Sequence, residues 1–106
     1  MAKFMVQFSY TDEGLAGLMK EGGSGRREAT KKLVESLGGT LESYYFAFGD
    51  YDGFLVVDGV DNVEMAAGAL IGGASGAVKT KTTVLLTPEE VDQAVKKHGD
   101  YRPPGE

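Results

Sequence analysis

Two carboxylates and a phenol stand together near the middle of the chain, at Asp50, Tyr51 and Asp52, directly after Gly49. Carboxylates can hold a cation or act as general acid and base, and a tyrosine can donate a hydrogen bond. Two carboxylates are too few to predict a metal site, since hard cations take about six oxygen ligands. The same residues suit a turn, because Gly and Asp tolerate turn dihedrals. We therefore expect either a ligand-binding role or a purely structural turn.

A glycine-rich segment followed by two arginines forms a second candidate site, Gly22-Gly23-Ser24-Gly25-Arg26-Arg27. Free backbone amides, a helix dipole and bidentate arginines would bind phosphate or carboxylate, which makes Ser24, Arg26 and Arg27 candidate anion ligands. The segment matches neither a Walker A loop nor a Rossmann fingerprint. The alternative is a flexible break between helices, with Ser24 as a cap and the arginines in solvent or paired with nearby glutamates.

The chain has no cysteine and one histidine, His98. This excludes disulfides, thiolate metal sites, cysteine nucleophiles and any site that needs two histidines of one chain. His98 follows Lys96 and Lys97, and we expect it on the surface near the C-terminus of a helix, where a positive charge is favourable. No cofactor and no metal are predicted.

The size and composition predict a single domain covering residues 1–106, with 42% hydrophobic and 25% charged residues. A net charge of -5 argues against nucleic acid or an anionic membrane surface as a partner. No apolar run approaches the roughly 20 residues that span a bilayer, and the N-terminus does not resemble a signal peptide. We therefore expect a cytoplasmic protein.

Strand and helix patterns alternate along the chain. Period-two and apolar runs predict strands over 4–10, 40–48, 51–58 and 77–86, with the second and third joined by a tight hairpin at 49–52. Thr11 begins the first helical region, which is interrupted at 22–25 and resumes over 26–37. The buried side of the resumed region is predicted to comprise Ala29, Leu33, Val34 and Leu37.

Two further helices have clear start signals. Asp61 with Glu64 forms a capping box ahead of the apolar residues Val63, Ala66, Ala67 and Leu70. Thr87-Pro88-Glu89-Glu90 starts a helix that we expect to reach about His98. Residues 99–106 are predicted to be an extended tail, because proline disfavours helix at the residue before it.

The resulting order, β-α-β-β-α-β-α, predicts an α+β fold. Its first six elements match the ferredoxin-like arrangement, in which a four-stranded antiparallel sheet has its first and third strands in the centre. Two helices cover one face of that sheet, and the seventh element is an extra C-terminal helix.

The second and third strands are apolar on both faces, at 44–48 and 54–57, although the helices can cover only one. A monomer would then expose an unusually large apolar patch. We therefore predict a homo-oligomer, most simply a two-fold symmetric dimer. The alternative is that the C-terminal helix or the tail folds back over the open face.

Several segments resemble the GYD-domain family, a bacterial family with a Gly-Tyr-Asp signature, and the resemblance covers essentially the whole chain. The matching segments are Gln7-Phe8-Ser9-Tyr10-Thr11, Glu21-Gly22-Gly23-Ser24-Gly25-Arg26-Arg27-Glu28-Ala29, Tyr45-Phe46-Ala47-Phe48-Gly49-Asp50-Tyr51-Asp52, Ala74-Ser75-Gly76-Ala77-Val78 and Leu85-Leu86-Thr87-Pro88-Glu89-Glu90-Val91. The resemblance implies a small α+β domain akin to the dimeric α/β-barrel proteins. It implies no reaction and no catalytic residues.

Three functions fit these patterns. The first is a homo-oligomeric module that binds a small organic or anionic ligand, in a cleft between sheet and helices or at the subunit interface. Nine aromatic residues would suit an apolar ligand, or would instead simply form the core and the dimer interface: Phe4, Phe8, Tyr10, Tyr44, Tyr45, Phe46, Phe48, Tyr51 and Phe54. The second is a cofactor-independent enzyme of the oxygenase or isomerase type, with a tyrosine or carboxylate transferring the proton. The third is a protein whose only role is assembly.

Overall fold

The computed structural model describes residues 2–106, which form four strands and four helices. In chain order these are β1 Ala2–Tyr10, α1 Asp12–Glu21, α2 Gly23–Ser36, β2 Thr40–Phe46, β3 Gly53–Val60, α3 Asn62–Ala74, β4 Val78–Leu85 and α4 Pro88–Ala94.

The four strands make one antiparallel sheet in the order β2-β3-β1-β4. This order confirms the predicted ferredoxin-like fold, with the first and third strands in the centre. The register fixes which residues share a face, because directly paired residues point the same way. On one face Phe46, Gly53, Phe8 and Thr80 form a row across the sheet. On the other face the neighbouring row is Tyr45, Phe54, Gln7 and Lys81.

The core lies on the face that α2 and α3 cover. Its buried side chains come mainly from the two central strands, with one each from α2 and the end of β3: Phe4, Val6, Phe8, Leu55, Val57, Val34 and Val60. We call the opposite side of the sheet the open face; it carries Met5, Tyr45, Phe54 and Val56 together with Lys79 and Lys81.

The interrupted helical region consists of two helices. Thr11 caps α1 as predicted, with its hydroxyl accepting a hydrogen bond from the Gly14 N–H at 3.2 Å. Gly22 separates α1 from α2 and has a φ of 83°, a conformation that favours glycine. The second helix therefore begins at Gly23, three residues earlier than the sequence pattern predicts.

The sequence misplaces parts of two helix faces. Ala29 is exposed rather than buried, because α2 packs through Thr30, Leu33, Val34 and Leu37. In α3 the larger apolar side chains Val63, Leu70 and Ile71 are exposed. The side of α3 that faces the sheet instead carries Met65, Gly68, Ala69 and Gly72.

Three predicted boundaries are wrong. β2 ends at Phe46 and β3 begins at Gly53, so residues 47–52 form a six-residue loop rather than a tight hairpin. The loop is closed by a bond from the Ala47 N–H to the Asp52 carbonyl, 2.8 Å, which leaves Phe48 in solvent. α4 ends at Ala94 rather than near His98, and the tail is not fully extended, because the Glu106 N–H turns back to the Pro103 carbonyl.

Every residue from 88 to 106 is exposed. The radius of gyration is 17.0 Å, against about 13 Å for a compact chain of about 100 residues. α4 and the tail therefore project from the domain. Within residues 2–106 they do not fold back over the open face, so the predicted alternative to oligomerisation is not found in the single chain.

Replacing Gly53 by Ala tests the central row of the sheet. A Cβ at Gly53 would collide with the Phe8 ring and the Tyr45 carbonyl. We expect Gly53→Ala to lower the free energy of unfolding by about 1–3 kcal/mol, as overpacking does in other cores. Urea denaturation followed by circular dichroism measures this change.

Gly73→Ala is the matched control, because a Cβ at this position in α3 meets no atom within 4 Å. We expect it to be neutral or to raise stability by about 0.5–1 kcal/mol, the usual advantage of Ala over Gly in a helix. Equal stability of the two variants would contradict the packing of Phe8 against Gly53.

Candidate functional site

A cavity of about 130 Å³ lies between the sheet and the two helices α2 and α3. Most of its walls are aliphatic or aromatic side chains and glycines. The sheet contributes Val6, Phe8, Tyr10, Tyr44, Leu55, Val57, Val60, Val78 and Thr80, and the helical side contributes Arg26, Thr30, Leu33, Val34, Leu37, Glu64, Met65, Gly68, Ala69 and Gly72.

Four aromatic rings at the ends of β1 and β2 pack around one side of the cavity. Phe8 is central: its ring centroid lies 5.5 Å from Tyr10, 5.4 Å from Tyr44 and 6.0 Å from Phe46. Several of these contacts are edge-to-face, an arrangement that aromatic quadrupoles favour. The cluster fixes the position of the two tyrosine rings.

The two phenols place polar atoms at this otherwise apolar wall. The hydroxyls of Tyr10 and Tyr44 are 3.5 Å apart. Burial raises the pKa of Tyr44 above its ordinary value, and the hydrogen bond with Tyr10 raises it further, while Thr30 and the charge of Arg26 oppose the shift. The Tyr44 phenol is therefore neutral at physiological pH, and it can donate or accept a hydrogen bond.

The other polar side chains at the cavity differ in whether they already have hydrogen-bond or ion-pair partners. The Arg26 guanidinium is partly exposed, and its Nη1 lies 3.5 Å from Glu21 Oε1. Glu64 is occupied in the capping box of α3, where its Oε1 accepts from the Asp61 N–H at 2.9 Å. Thr30 and Arg26 are thus the helix residues best placed to contact a polar ligand atom.

Asp52 fastens the loop 47–52 to the end of β1. Its Oδ2 accepts a hydrogen bond from the Tyr10 N–H at 2.8 Å, and its own N–H donates to the Phe8 carbonyl at 2.8 Å. Asp52 therefore holds the backbone of β1 at Phe8 and Tyr10, whose rings line the cavity.

The other two predicted site residues of this loop, Asp50 and Tyr51, lie outside the cavity. The Asp50 side chain is exposed, and the contact of this residue with the rest of the fold is a hydrogen bond from Ser9 Oγ to its carbonyl, 3.4 Å. Tyr51 is half-buried in the loop and does not line the cavity. The structure thus places Asp50, Tyr51 and Asp52 in one loop, beside the cavity rather than in it.

Of the three predicted anion ligands, Arg26 alone lines the cavity. Ser24 is exposed, and Arg27 is exposed with its Nε 3.6 Å from Glu28 Oε1. Successive residues of a helix point about 100° apart, so Arg26 and Arg27 leave α2 in different directions. Gly23 lies against the Phe46 ring, which sets the start of α2 beside the end of β2.

Thr30 is one of the polar cavity residues that the sequence analysis missed. Its position four residues after Arg26, and three and four before Leu33 and Val34, places all of them on one helix face. That spacing could have identified Thr30. Tyr10 and Tyr44 stood out only as members of a large aromatic set.

Within residues 2–106, no group of three or more acidic or histidine side chains is arranged to hold a metal ion. None of the helices in this described part of the chain has the length and apolarity needed to cross a membrane.

Asp52→Ala removes the acceptor of the Tyr10 N–H. A hydrogen bond to a charged group contributes about 1.5–3 kcal/mol, and we expect a loss of about this size in the free energy of unfolding. Asp50→Ala removes the same charge from the same loop but no side-chain hydrogen bond, so its effect should stay within about 0.5 kcal/mol. Chemical denaturation measures the free energy of unfolding of both variants. Equal losses in the two variants would refute the role given to Asp52.

The raised pKa of Tyr44 predicts a loss of stability at high pH. A group whose pKa is higher in the folded chain binds more protons when folded, so its contribution is complete below the unfolded pKa of about 10 and is lost as pH rises above it. The wild-type Tm should fall more steeply between about pH 10 and about pH 12 than the Tm of Tyr44→Phe.

Tyr101→Phe is the control for that comparison, because Tyr101 is 80% exposed. Its melting temperature should follow the wild-type pH dependence. Parallel curves for wild type and Tyr44→Phe would show that Tyr44 titrates alike in the folded and unfolded chains.

Comparison with known proteins agrees with the resemblance seen in the sequence. The model of the GYD domain matches residues 4–95 of the 106-residue chain. No curated protein and no solved structure matches the chain. The match covers every helix and strand of the fold except the first two residues of β1. The chain therefore belongs to the GYD domain family.

Proposed function

We propose that this protein binds a small, mostly apolar molecule in the cavity between the sheet and the helices α2 and α3. The size of the cavity supports this proposal. At about 130 Å³ it is close to the engineered apolar cavity of about 150 Å³ that binds benzene in another protein. The proposed ligand is therefore about the size of one six-membered ring or a short branched chain.

The polar atoms at the cavity define the rest of the ligand. Tyr10, Tyr44 and Thr30 offer hydroxyls, and Arg26 contributes a positive charge at the partly exposed side. A ring that carries one hydroxyl, carbonyl or carboxylate oxygen would bury its apolar part and keep its oxygen hydrogen-bonded.

Binding is better supported than catalysis without a cofactor. An oxygenase or isomerase of that kind needs a base near neutral pH, which for a tyrosine means a lowered pKa. The pKa of Tyr44 is instead raised, and the carboxylates of Asp50 and Asp52 do not line the cavity. A role in assembly alone gives no reason for the cavity to remain unfilled.

The open face supports association between copies of the chain. Phe54 and Val56 lie there beside Met5 and the 60% exposed Tyr45, and no element of residues 2–106 covers them. Pairing of two open faces would remove this apolar surface from water. We include a homo-oligomer, in its simplest form a dimer, in the proposed function.

Cavity filling tests the ligand proposal. Ala69 lines the cavity from α3, and Ala69→Leu would place three more carbon atoms in it. Ala66→Leu is the matched control on the same helix, since Ala66 is exposed and outside the cavity. The probe is phenol, titrated into each ¹⁵N-labelled protein and followed by two-dimensional NMR.

We expect phenol to shift the signals of Thr30, Tyr44 and Gly68 in the wild type and in Ala66→Leu, with at least a tenfold weaker effect in Ala69→Leu. Tyr44→Phe should weaken phenol binding more than benzene binding, because only phenol uses the lost hydroxyl. Equal binding by the two leucine variants, or shifts confined to other surfaces, would overturn the proposal.

A further inference from the structure

Four polar side chains of the cavity walls lie close together. Arg26 and Thr30 are four residues apart and so share one side of α2. On the sheet, the Tyr44 hydroxyl lies 3.5 Å from that of Tyr10. Burial raises the pKa of the Tyr44 phenol, and a hydrogen bond with Thr30 and the charge of Arg26 oppose that rise, so both helix residues lie near the phenol. We call these four side chains the polar end of the cavity.

The two charged residues of the cavity walls are far apart along α2. Among the lining residues of the described chain 2–106, Arg26 is the only cation and Glu64 the only acid. Glu64 lies beyond the end of α2, where its Oε2 is 3.6 Å from the position that a Cβ on Gly38 would take. Arg26 and Ser36 are ten residues apart in the helix, about 15 Å at 1.5 Å per residue. A ligand at the polar end therefore meets a positive charge without the opposing charge of Glu64.

The guanidinium of Arg26 is only weakly engaged in the single chain. Within residues 2–106 its ion pair is with Glu21, at an Nη1–Oε1 distance of 3.5 Å, and both side chains are partly exposed. Partly exposed ion pairs of this length contribute little to stability. A guanidinium has five N–H donors, so most of them are left for another acceptor.

The polar end is rich in hydrogen-bond donors. Arg26 can only donate, and the Tyr44 phenol keeps its proton at physiological pH because its pKa is raised. The 3.5 Å contact between the two phenols is long for an O–H···O bond, so each hydroxyl can turn to another partner. A carboxylate only accepts, and its two oxygens match the planar fork of a guanidinium. A neutral ligand would leave the positive charge of Arg26 unused.

We propose that the ligand is a monocarboxylate with a compact apolar body, and that Arg26 determines the preference for it. The apolar body occupies the cavity, and the carboxylate lies at the polar end, between the Arg26 guanidinium and the Tyr44 hydroxyl. This inference rests on the proposed function and narrows its ligand to an anion. A dianion such as phosphate fits less well, because its second charge finds no second cation among the described lining residues and the net charge of -5 opposes it.

Benzoate and benzamide are the probes, because they have nearly the same shape and differ in charge. Each is titrated into the full-length ¹⁵N-labelled protein and followed by two-dimensional NMR, with phenol as the reference for binding in the cavity itself. We expect both probes to shift the signals of Thr30 and Tyr44. The Kd of benzoate should be at least about tenfold lower than that of benzamide, because hydrogen bonds to charged groups are the stronger ones.

Arg26→Gln removes the charge and keeps a polar side chain of similar reach. We expect it to raise the Kd of benzoate at least about tenfold and to leave that of benzamide within about threefold. Arg27→Gln is the matched control, because Arg27 is the next residue of α2, is exposed outside the cavity, and its loss changes the net charge equally. It should leave both Kd values within about threefold. Arg26→Lys keeps the charge without the planar fork, and its Kd for benzoate should be intermediate.

The outcomes separate this inference from the proposed function. If phenol, benzoate and benzamide all fail to bind in the cavity, the proposed function is overturned and the carboxylate preference with it. If phenol binds but wild type holds benzamide as tightly as benzoate, the carboxylate preference alone is overturned, and this comparison needs no variant. Equal losses of benzoate affinity in Arg26→Gln and Arg27→Gln would overturn the role of Arg26.

Discussion

The close approach of the Phe8 ring to the backbone of Gly53 is the contact on which the site depends. Because β3 has no side chain at this point, the ring can lie across the central strands. From there it contacts Tyr10, Tyr44 and Phe46, which come from the ends of two different strands. The register of the sheet thus determines where the phenols of Tyr10 and Tyr44 lie, which is at one wall of the cavity. A side chain on β3 would displace Phe8 and with it the whole cluster.

The loop 47–52 also helps to hold the end of β1 in place. Asp52 accepts from the Tyr10 backbone and donates to the Phe8 carbonyl, so the loop is tied to the strand that bears both rings. This gives the carboxylate a positioning role without direct access to the cavity. The two carboxylates and the phenol that resemble a catalytic group therefore lie beside the cavity, and Asp52 connects them to the end of β1.

Sequence patterns predicted the order of the elements, the sheet topology and the caps of α1, α3 and α4, because each depends on local chemistry at fixed spacing. They failed where tertiary packing decides. The loop 47–52 is longer than a tight hairpin because the Asp52 carbonyl closes it at Ala47. Ala29 could not be distinguished from Thr30 until the position of α2 on the sheet was known. A cleft between sheet and helices was one of the two expected places for a ligand, but the volume and the walls of the cavity could not be predicted, since they arise from the shapes of several elements together.

The helix α3 lines the cavity mainly with small residues. A helix packed on a sheet normally turns its large apolar side chains inward. Met65 follows this pattern, but Gly68, Ala69 and Gly72 also face the sheet, while Val63, Leu70 and Ile71 face outward. Filling this space of about 130 Å³ would bury more apolar surface and stabilise the core. Larger inward residues would recover much of that stability and remove the space for a ligand. The same arrangement leaves Val63, Leu70 and Ile71 in solvent, so α3 buries less apolar surface than it could. Under the proposed function, the space left by these small residues is the one that the ligand would fill.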